Sequence, residues 1–121
     1  MPSLYKKNTT LDERKLKSQK LKEIYPNRIP VIVEMAQSSS NYTSFIEQKH
    51  KVKYLVPNEI AMGQFVKILR DKMKIHESKA LFFFIHNKLF PMSCPMSTLY
   101  DEYKDEDGFL YIEFCEESTF G

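Results

Sequence analysis

Long apolar runs, cysteines and glycines are all scarce in this sequence, and each scarcity excludes something. The longest uninterrupted apolar stretch, Ala80-Leu81-Phe82-Phe83-Phe84-Ile85, is six residues, against the roughly 20 that a membrane-spanning helix needs. It suits a buried strand instead. The opening Met1-Pro2-Ser3-Leu4-Tyr5-Lys6-Lys7 has no apolar secretory region, and Pro2 stands where N-myristoylation needs a glycine. A cytoplasmic protein is expected. In that compartment the two cysteines, Cys94 and Cys115, are expected to be free thiols. Neither makes metal-ligand spacing with the other or with His50, His76 and His86, so no metal and no cofactor is expected. A nucleophilic thiol needs a base placed beside it, and none is visible, so no catalytic residue is assigned. With only Gly63, Gly108 and Gly121 in the chain, a glycine at the last position carries more weight than its ordinary usage of roughly 7% would give it.

What is present bounds the rest. A chain of 121 residues with 42% hydrophobic content supports one domain around one core. No internal repeat occurs, and the serine-rich stretch after Gln37 is the one polar low-complexity segment. Net charge is only +2, yet it is unevenly spread: residues 1–28 carry eight cations against three carboxylates, and residues 100–121 one lysine against eight carboxylates. The two ends should attract, and the basic end should favour acidic partners. No base-stacking or groove-reading motif accompanies the basic residues, so no nucleic-acid partner is expected.

Thr10 followed by Glu13 has capping-box spacing and predicts a helix from about Leu11. Its apolar positions, Leu16, Leu21, Ile24 and Tyr25, are sparse, so the helix reads as a lid; Tyr25-Pro26 ends it. The β-branched stretch 29–34 predicts a buried strand with Pro30 near its start. The polar segment 37–44 predicts a loop, and 51–56 a second strand able to pair with the first. Asn58 is the predicted cap of a helix carrying Ile60, Ala61, Phe65, Ile68 and Leu69 at near-helical spacing. Gly63 inside that helix costs roughly 1 kcal/mol against alanine, so close packing should require it. Residues 80–85 predict the central strand, His86-Asn87-Lys88 a turn, Ser97 the cap of a short helix through Tyr103, and 109–114 the last strand. Two strands, a crossing helix and two more strands describe an α+β ubiquitin-like β-grasp with a mixed four-stranded sheet and a helical extension in front. The divisions expected are 1–27 for the extension, 28–116 for the core and 117–121 for a flexible tail.

Gly121 gives that tail a distinct chemistry. A carboxylate on a residue without Cβ can be threaded through a narrow channel and attacked at its carbonyl with little steric hindrance.

Tyr25-Pro26-Asn27-Arg28-Ile29-Pro30-Val31-Ile32-Val33-Glu34, Lys53-Tyr54-Leu55-Val56-Pro57, Ala80-Leu81-Phe82-Phe83-Phe84, Tyr103-Lys104-Asp105-Glu106-Asp107-Gly108-Phe109-Leu110-Tyr111 and Ser118-Thr119-Phe120-Gly121 resemble the GABARAP-type autophagy ubiquitin-like modifiers. The likeness runs in one order over nearly the whole chain outside the serine loop. It implies a substrate of catalysis, not an enzyme: Gly121 would be activated, passed between the catalytic cysteines of activating and conjugating enzymes, and joined to the amine of phosphatidylethanolamine. A deconjugating cysteine protease is implied with them, as is an autophagosome membrane location for the lipidated form. The acyl chains, at roughly 0.8 kcal/mol per buried CH₂, would supply anchoring that the sequence lacks.

The resemblance also implies cargo receptors with aromatic-x-x-aliphatic motifs, added as a strand beside the second strand. The aromatic pocket would be lined by Leu21, Pro30, Lys53, Leu55 and Phe109. The aliphatic pocket would use Tyr54, Val56, Pro57, Ile60, Phe65 and Ile68, and Arg28, Lys51, Lys53, Arg70 and Lys72 would meet acidic residues flanking the motif. From alternation alone, Lys53, Leu55 and Pro57 face one way and Tyr54 and Val56 the other; the same apolar residues would also serve an ordinary core, and the basic ones a solvated face. The chain departs from the family pattern at Lys17, where many relatives carry an acid at the rim of the aromatic pocket, and in a longer 37–50 loop. A ubiquitin-like adaptor in vesicle trafficking that binds peptides without being conjugated is the alternative.

Overall fold

The computed structural model describes residues 3–36, 53–74 and 80–116; Lys51, the 37–50 loop and the 117–121 tail with Gly121 lie outside them. Two helices come first, α1 (Leu4–Lys7) and α2 (Leu11–Ile24), then β1 (Arg28–Met35), β2 (Lys53–Pro57), α3 (Met62–Met73), β3 (Leu81–Ile85), β4 (Lys88–Leu89), α4 (Met96–Tyr103) and β5 (Leu110–Glu116). The sheet order among the described residues is β2-β1-β5-β3-β4. β1 and β5 run parallel in the middle, and the other pairs are antiparallel. This is the expected β-grasp, but the stretch expected as the central strand, β3, lies between β5 and the edge strand β4, with β5 at the centre, and two further corrections apply. The sheet has five strands, not four, because Lys88 pairs with Ile85 and Leu89 with Phe84. His86 and Asn87 both take left-handed φ, 50° and 63°, which closes a two-residue hairpin whose twist suits the flanking strands. The second correction is α1, a single helical turn capped by the Ser3 side chain, which accepts from the Lys6 N–H.

Alternation along the strands separates two faces. Ile29, Val31, Val33, Tyr54, Val56, Phe83, Ile85, Leu110, Ile112 and Phe114 form the core with Met62, Phe65, Leu69 and Met73 of α3 and Met96, Leu99 and Tyr100 of α4. Two of the predicted caps move. The helix start shifts from Asn58 to Ala61, whose N–H is taken by the Gln64 side chain at 2.8 Å, and α4 is preceded by Pro95, so Ser97 lies inside it. Gly63 is where close packing was expected: an added Cβ would stand 3.1 Å from the Met92 Cβ and 3.2 Å from its carbonyl oxygen, which accepts the Gly63 N–H.

The opposite face of the sheet lies beneath α2. A lid is what α2 turns out to be, since Leu16 and Ile24 are exposed while Arg14 and Ser18 are buried. Its attachment is therefore polar. Arg14 Nε donates to Asp107 Oδ2 at 2.8 Å, and the same oxygen accepts from the Tyr111 hydroxyl. Asp107 Oδ1 accepts the Phe109 N–H at 2.8 Å, and the Ser18 hydroxyl donates to the Asp107 carbonyl. Burial, with Asp107 holding its proton, pushes the Tyr111 phenol far above the ordinary tyrosine range.

Gly108 completes the joint with φ +91°. A Cβ there would fall 2.4 Å from the Ser18 hydroxyl. Gly108→Ala is therefore expected to lose about 1–3 kcal/mol from backbone strain alone, read as a lower urea midpoint, with the Ser18 contact adding to the loss.

Candidate functional site

The antiparallel register sets Leu55 beside Pro30 and Lys53 beside Ile32, on the face that α2 covers. A cleft of about 370 Å³ lies there, lined by Lys17 and Leu21 of α2 together with Arg28, Lys53, Tyr54, Leu55, Lys72 and Phe109. Of the residues expected in an aromatic pocket, Leu21, Lys53, Leu55 and Phe109 come together here. Pro30 is buried below them and is not part of the lining. Arg28 and Lys72, expected as contacts for acidic partners, are at the same cleft; Arg70 is not, and its Nη1 is buried without a hydrogen-bond partner among the described residues. The described structure does not reach Lys51.

Among the described residues β2 has a neighbouring strand on one side only. Beyond its other face, Tyr54, Val56 and Phe65 are core residues, at 7%, 2% and 1% exposure, with Tyr54 edge-on to Phe65 at 5.8 Å. Pro57 and Ile60 are half-buried, and Ile68 stands exposed. The residues named for an aliphatic pocket thus span core to surface: Tyr54, Val56 and Phe65 are buried, Pro57 and Ile60 half-buried and Ile68 exposed.

Residue reasoning missed Tyr5. Its ring meets Phe109 edge-on at 5.7 Å, its N–H donates to Glu34 at 2.9 Å, and the Lys53 ammonium lies 5.6 Å from its centre. A tyrosine in a four-residue helix gives no periodic signal, so only the folded arrangement shows it supporting the cleft.

The cleft is strongly electropositive. Among the described residues that line it, four are cations and none is a carboxylate. Lys53 is pushed down to about 8 by its hydrogen bond with Lys17, by burial and by repulsion from Lys17. The folded protein gives up this proton earlier than the unfolded chain does, so repulsion costs stability at neutral pH and is relieved as pH rises through about 8. Urea midpoints of the wild type are expected to rise between pH 7.5 and pH 9.5 relative to a Lys17→Met variant, in which the repulsion is already gone.

A mixed sheet of this order, a helix crossing its core face and helices at the N-terminus define a ubiquitin-like protein. Sequence comparison fixes the family. The model described as "Autophagy protein Atg8 ubiquitin like" matches residues 13–121, and the chain belongs to that family. It is 45% identical over 121 residues to autophagy-related protein 8 of Schizosaccharomyces pombe, covering all of this chain and 96% of that one. It is 44% identical over 119 residues to autophagy-related protein 8c of Arabidopsis thaliana, covering 98% of this chain and 96% of the relative. Among solved structures, Trypanosoma brucei ATG8 superposes with a TM-score of 0.85 at 34% identity over the whole of both chains. Plasmodium falciparum Atg8 in complex with a P. falciparum Atg3 peptide superposes with a TM-score of 0.78 at 32% identity, covering 94% of this chain and 95% of that one. Members of the family are ubiquitin-like modifiers and not enzymes.

Proposed function

We propose that the chain is a GABARAP-type modifier that docks partner peptides as an added strand on β2 and is joined through Gly121 to phosphatidylethanolamine during autophagosome formation. One geometric observation carries the docking half. In an aromatic-x-x-aliphatic motif the two anchors are three residues apart, an odd spacing, so on a strand of period two they point to opposite faces. The edge of β2 that has no neighbouring strand among the described residues has the cleft with Leu21, Leu55 and Phe109 on one face and Ile60 and Ile68 on the other, the side of Tyr54, Val56 and α3. A single added strand would fill both. Main-chain hydrogen bonds to β2 would supply affinity and the two sites selectivity, while Arg28, Lys53 and Lys72 would meet acidic residues beside the motif.

Cargo receptors and the conjugating enzyme are the partners this surface suits, the latter in keeping with the P. falciparum relative bound to an Atg3 peptide. In the same reading, 1–27 is an extension whose helix walls the cleft, 28–116 the docking body and 117–121 the conjugation tail, handled by an activating enzyme and a deconjugating protease. No helix among the described residues is long and apolar enough to cross a membrane, so a lipid on Gly121 would be the anchor that holds a cytoplasmic protein on the autophagosome. Mass spectrometry of the membrane-bound protein from starved cells is expected to find a C-terminal peptide carrying a phosphatidylethanolamine adduct on Gly121; only unmodified peptide in that fraction would refute conjugation.

A further inference from the structure

The charged side chains of the cleft are one-sided in hydrogen-bonding sense. Lys17, Arg28, Lys53 and Lys72 can donate when charged and cannot accept. No lining side chain among the described residues is a carboxylate, amide or imidazole. The one hydroxyl belongs to Tyr54, a residue that β-alternation turns to the opposite face and that is only 7% exposed. The apolar walls, Leu21, Leu55 and Phe109, leave room for one aromatic side chain in about 370 Å³.

Resting on the docking role proposed above, we infer that this cleft selects tyrosine over tryptophan as the aromatic anchor of its partner peptides, with Lys17 the residue that sets the preference. A tyrosine hydroxyl offers lone pairs that the ammonium groups of Lys17 and Lys53 can donate to. An indole N–H only donates, so tryptophan brings a donor to a rim made of donors. Its hydrogen bond to water is lost without replacement, and an unmet buried donor costs about tenfold in affinity or more. Phenylalanine has neither gain nor loss and falls between.

The opposing effect is cation–π attraction, which is strongest for tryptophan. It is weakened here because two of the four cations already have rings of their own: Lys53 Nζ lies 5.6 Å from the centre of Tyr5, and Lys72 Nζ 5.7 Å from that of Tyr54. Moving either cation over a new ring exchanges one such contact for another, so the hydrogen-bond mismatch decides.

The test is fluorescence anisotropy at pH 7.0 with three labelled acidic peptides, identical except for Tyr, Phe or Trp at the aromatic position of an aromatic-x-x-aliphatic core. The wild type is expected to bind the Tyr peptide about tenfold more tightly than the Trp peptide. Lys17→Glu, at an exposed position, should weaken all three acidic peptides yet bring the Tyr-to-Trp ratio to one or below, because its carboxylate accepts an indole N–H. Lys17→Met should give an intermediate ratio. A wild type that prefers Trp or binds both equally overturns the inference while leaving the docking reading standing, as does an unchanged ratio in Lys17→Glu. Failure of all three peptides to bind the wild type overturns the docking reading and this inference together.

Discussion

Replacing Asp107 with alanine is expected to destabilise the fold by about 3–5 kcal/mol, the usual consequence of removing one partner of a buried ion pair. The Asp107 side chain is fully buried, and that of Arg14 is 9% exposed. Without the carboxylate, Arg14 Nε, the Tyr111 hydroxyl and the Phe109 N–H each lose their acceptor. Arg14 keeps its Nη1 bonds, to the Thr9 carbonyl at 2.8 Å, the Thr9 hydroxyl at 3.3 Å and the Lys6 carbonyl at 3.4 Å, which hold the guanidinium near its place but do not balance its charge. Asp107→Asn keeps an acceptor oxygen and should lose less. The chain contains no tryptophan, so the midpoint is best followed by far-UV circular dichroism in urea, with an unchanged slope as evidence that stability alone has moved. Peptide affinity should fall with stability. α2 forms one wall of the cleft and is pinned through Arg14 and Ser18, so a loosened joint gives a wall that must be ordered again on binding.

The second large effect concerns Gly121. Gly121→Ala is expected to abolish recovery of the protein as a lipid adduct while leaving peptide binding within about twofold, since the docking surface and the tail are separate parts of the chain. A methyl group at the last position narrows the approach to the carbonyl and limits the dihedrals with which the tail can enter an enzyme channel. Flotation of membranes from cells expressing each form, followed by mass spectrometry of the C-terminal peptide, reads the outcome. Persistent adduct on the variant would separate conjugation from the glycine. Intact peptide binding in the wild type without any adduct would point instead to the unconjugated adaptor.

Local signals in the sequence transferred well to the fold, and long-range ones did not. Thr10 and Glu13 predicted the start of α2, and the Thr10 side chain accepts the Glu13 N–H at 3.1 Å. Alternation along β2 predicted its two faces, and burial follows that alternation. Sparse leucines marked α2 as a lid, but not the reason it stays down. That depends on Arg14 reaching Asp107, 93 residues away, and a charged residue on a helix reads locally as solvent-facing. β4 was hidden because a two-residue strand is too short for a period, and Lys88 looks like part of the turn that precedes it. Asn58 has the chemistry of a cap, but its N–H goes to the Asn27 carbonyl, and the helix begins only after Ala61 has bridged to Pro95. For the site, a position-by-position resemblance named Leu21, Lys53, Leu55 and Phe109, and these four line one cleft. It could not distinguish Pro30, packed underneath, from the residues that face the opening, nor separate Tyr54, Val56 and Phe65 as core from Ile68 as surface, because burial depends on what α2 and α3 cover.

A strand left open for visitors also invites the wrong ones, above all another copy of itself. The charges beside β2 bear on that hazard. Two molecules approaching edge to edge would bring Arg28, Lys53 and Lys72 against the same three residues of the other, and at cellular ionic strength the repulsion reaches about 8 Å. Concentrated salt shortens that reach, so solutions that stay clear in dilute buffer should turn turbid as salt is added. The cations proposed to meet acidic peptides would thereby also be the protein's guard against clumping.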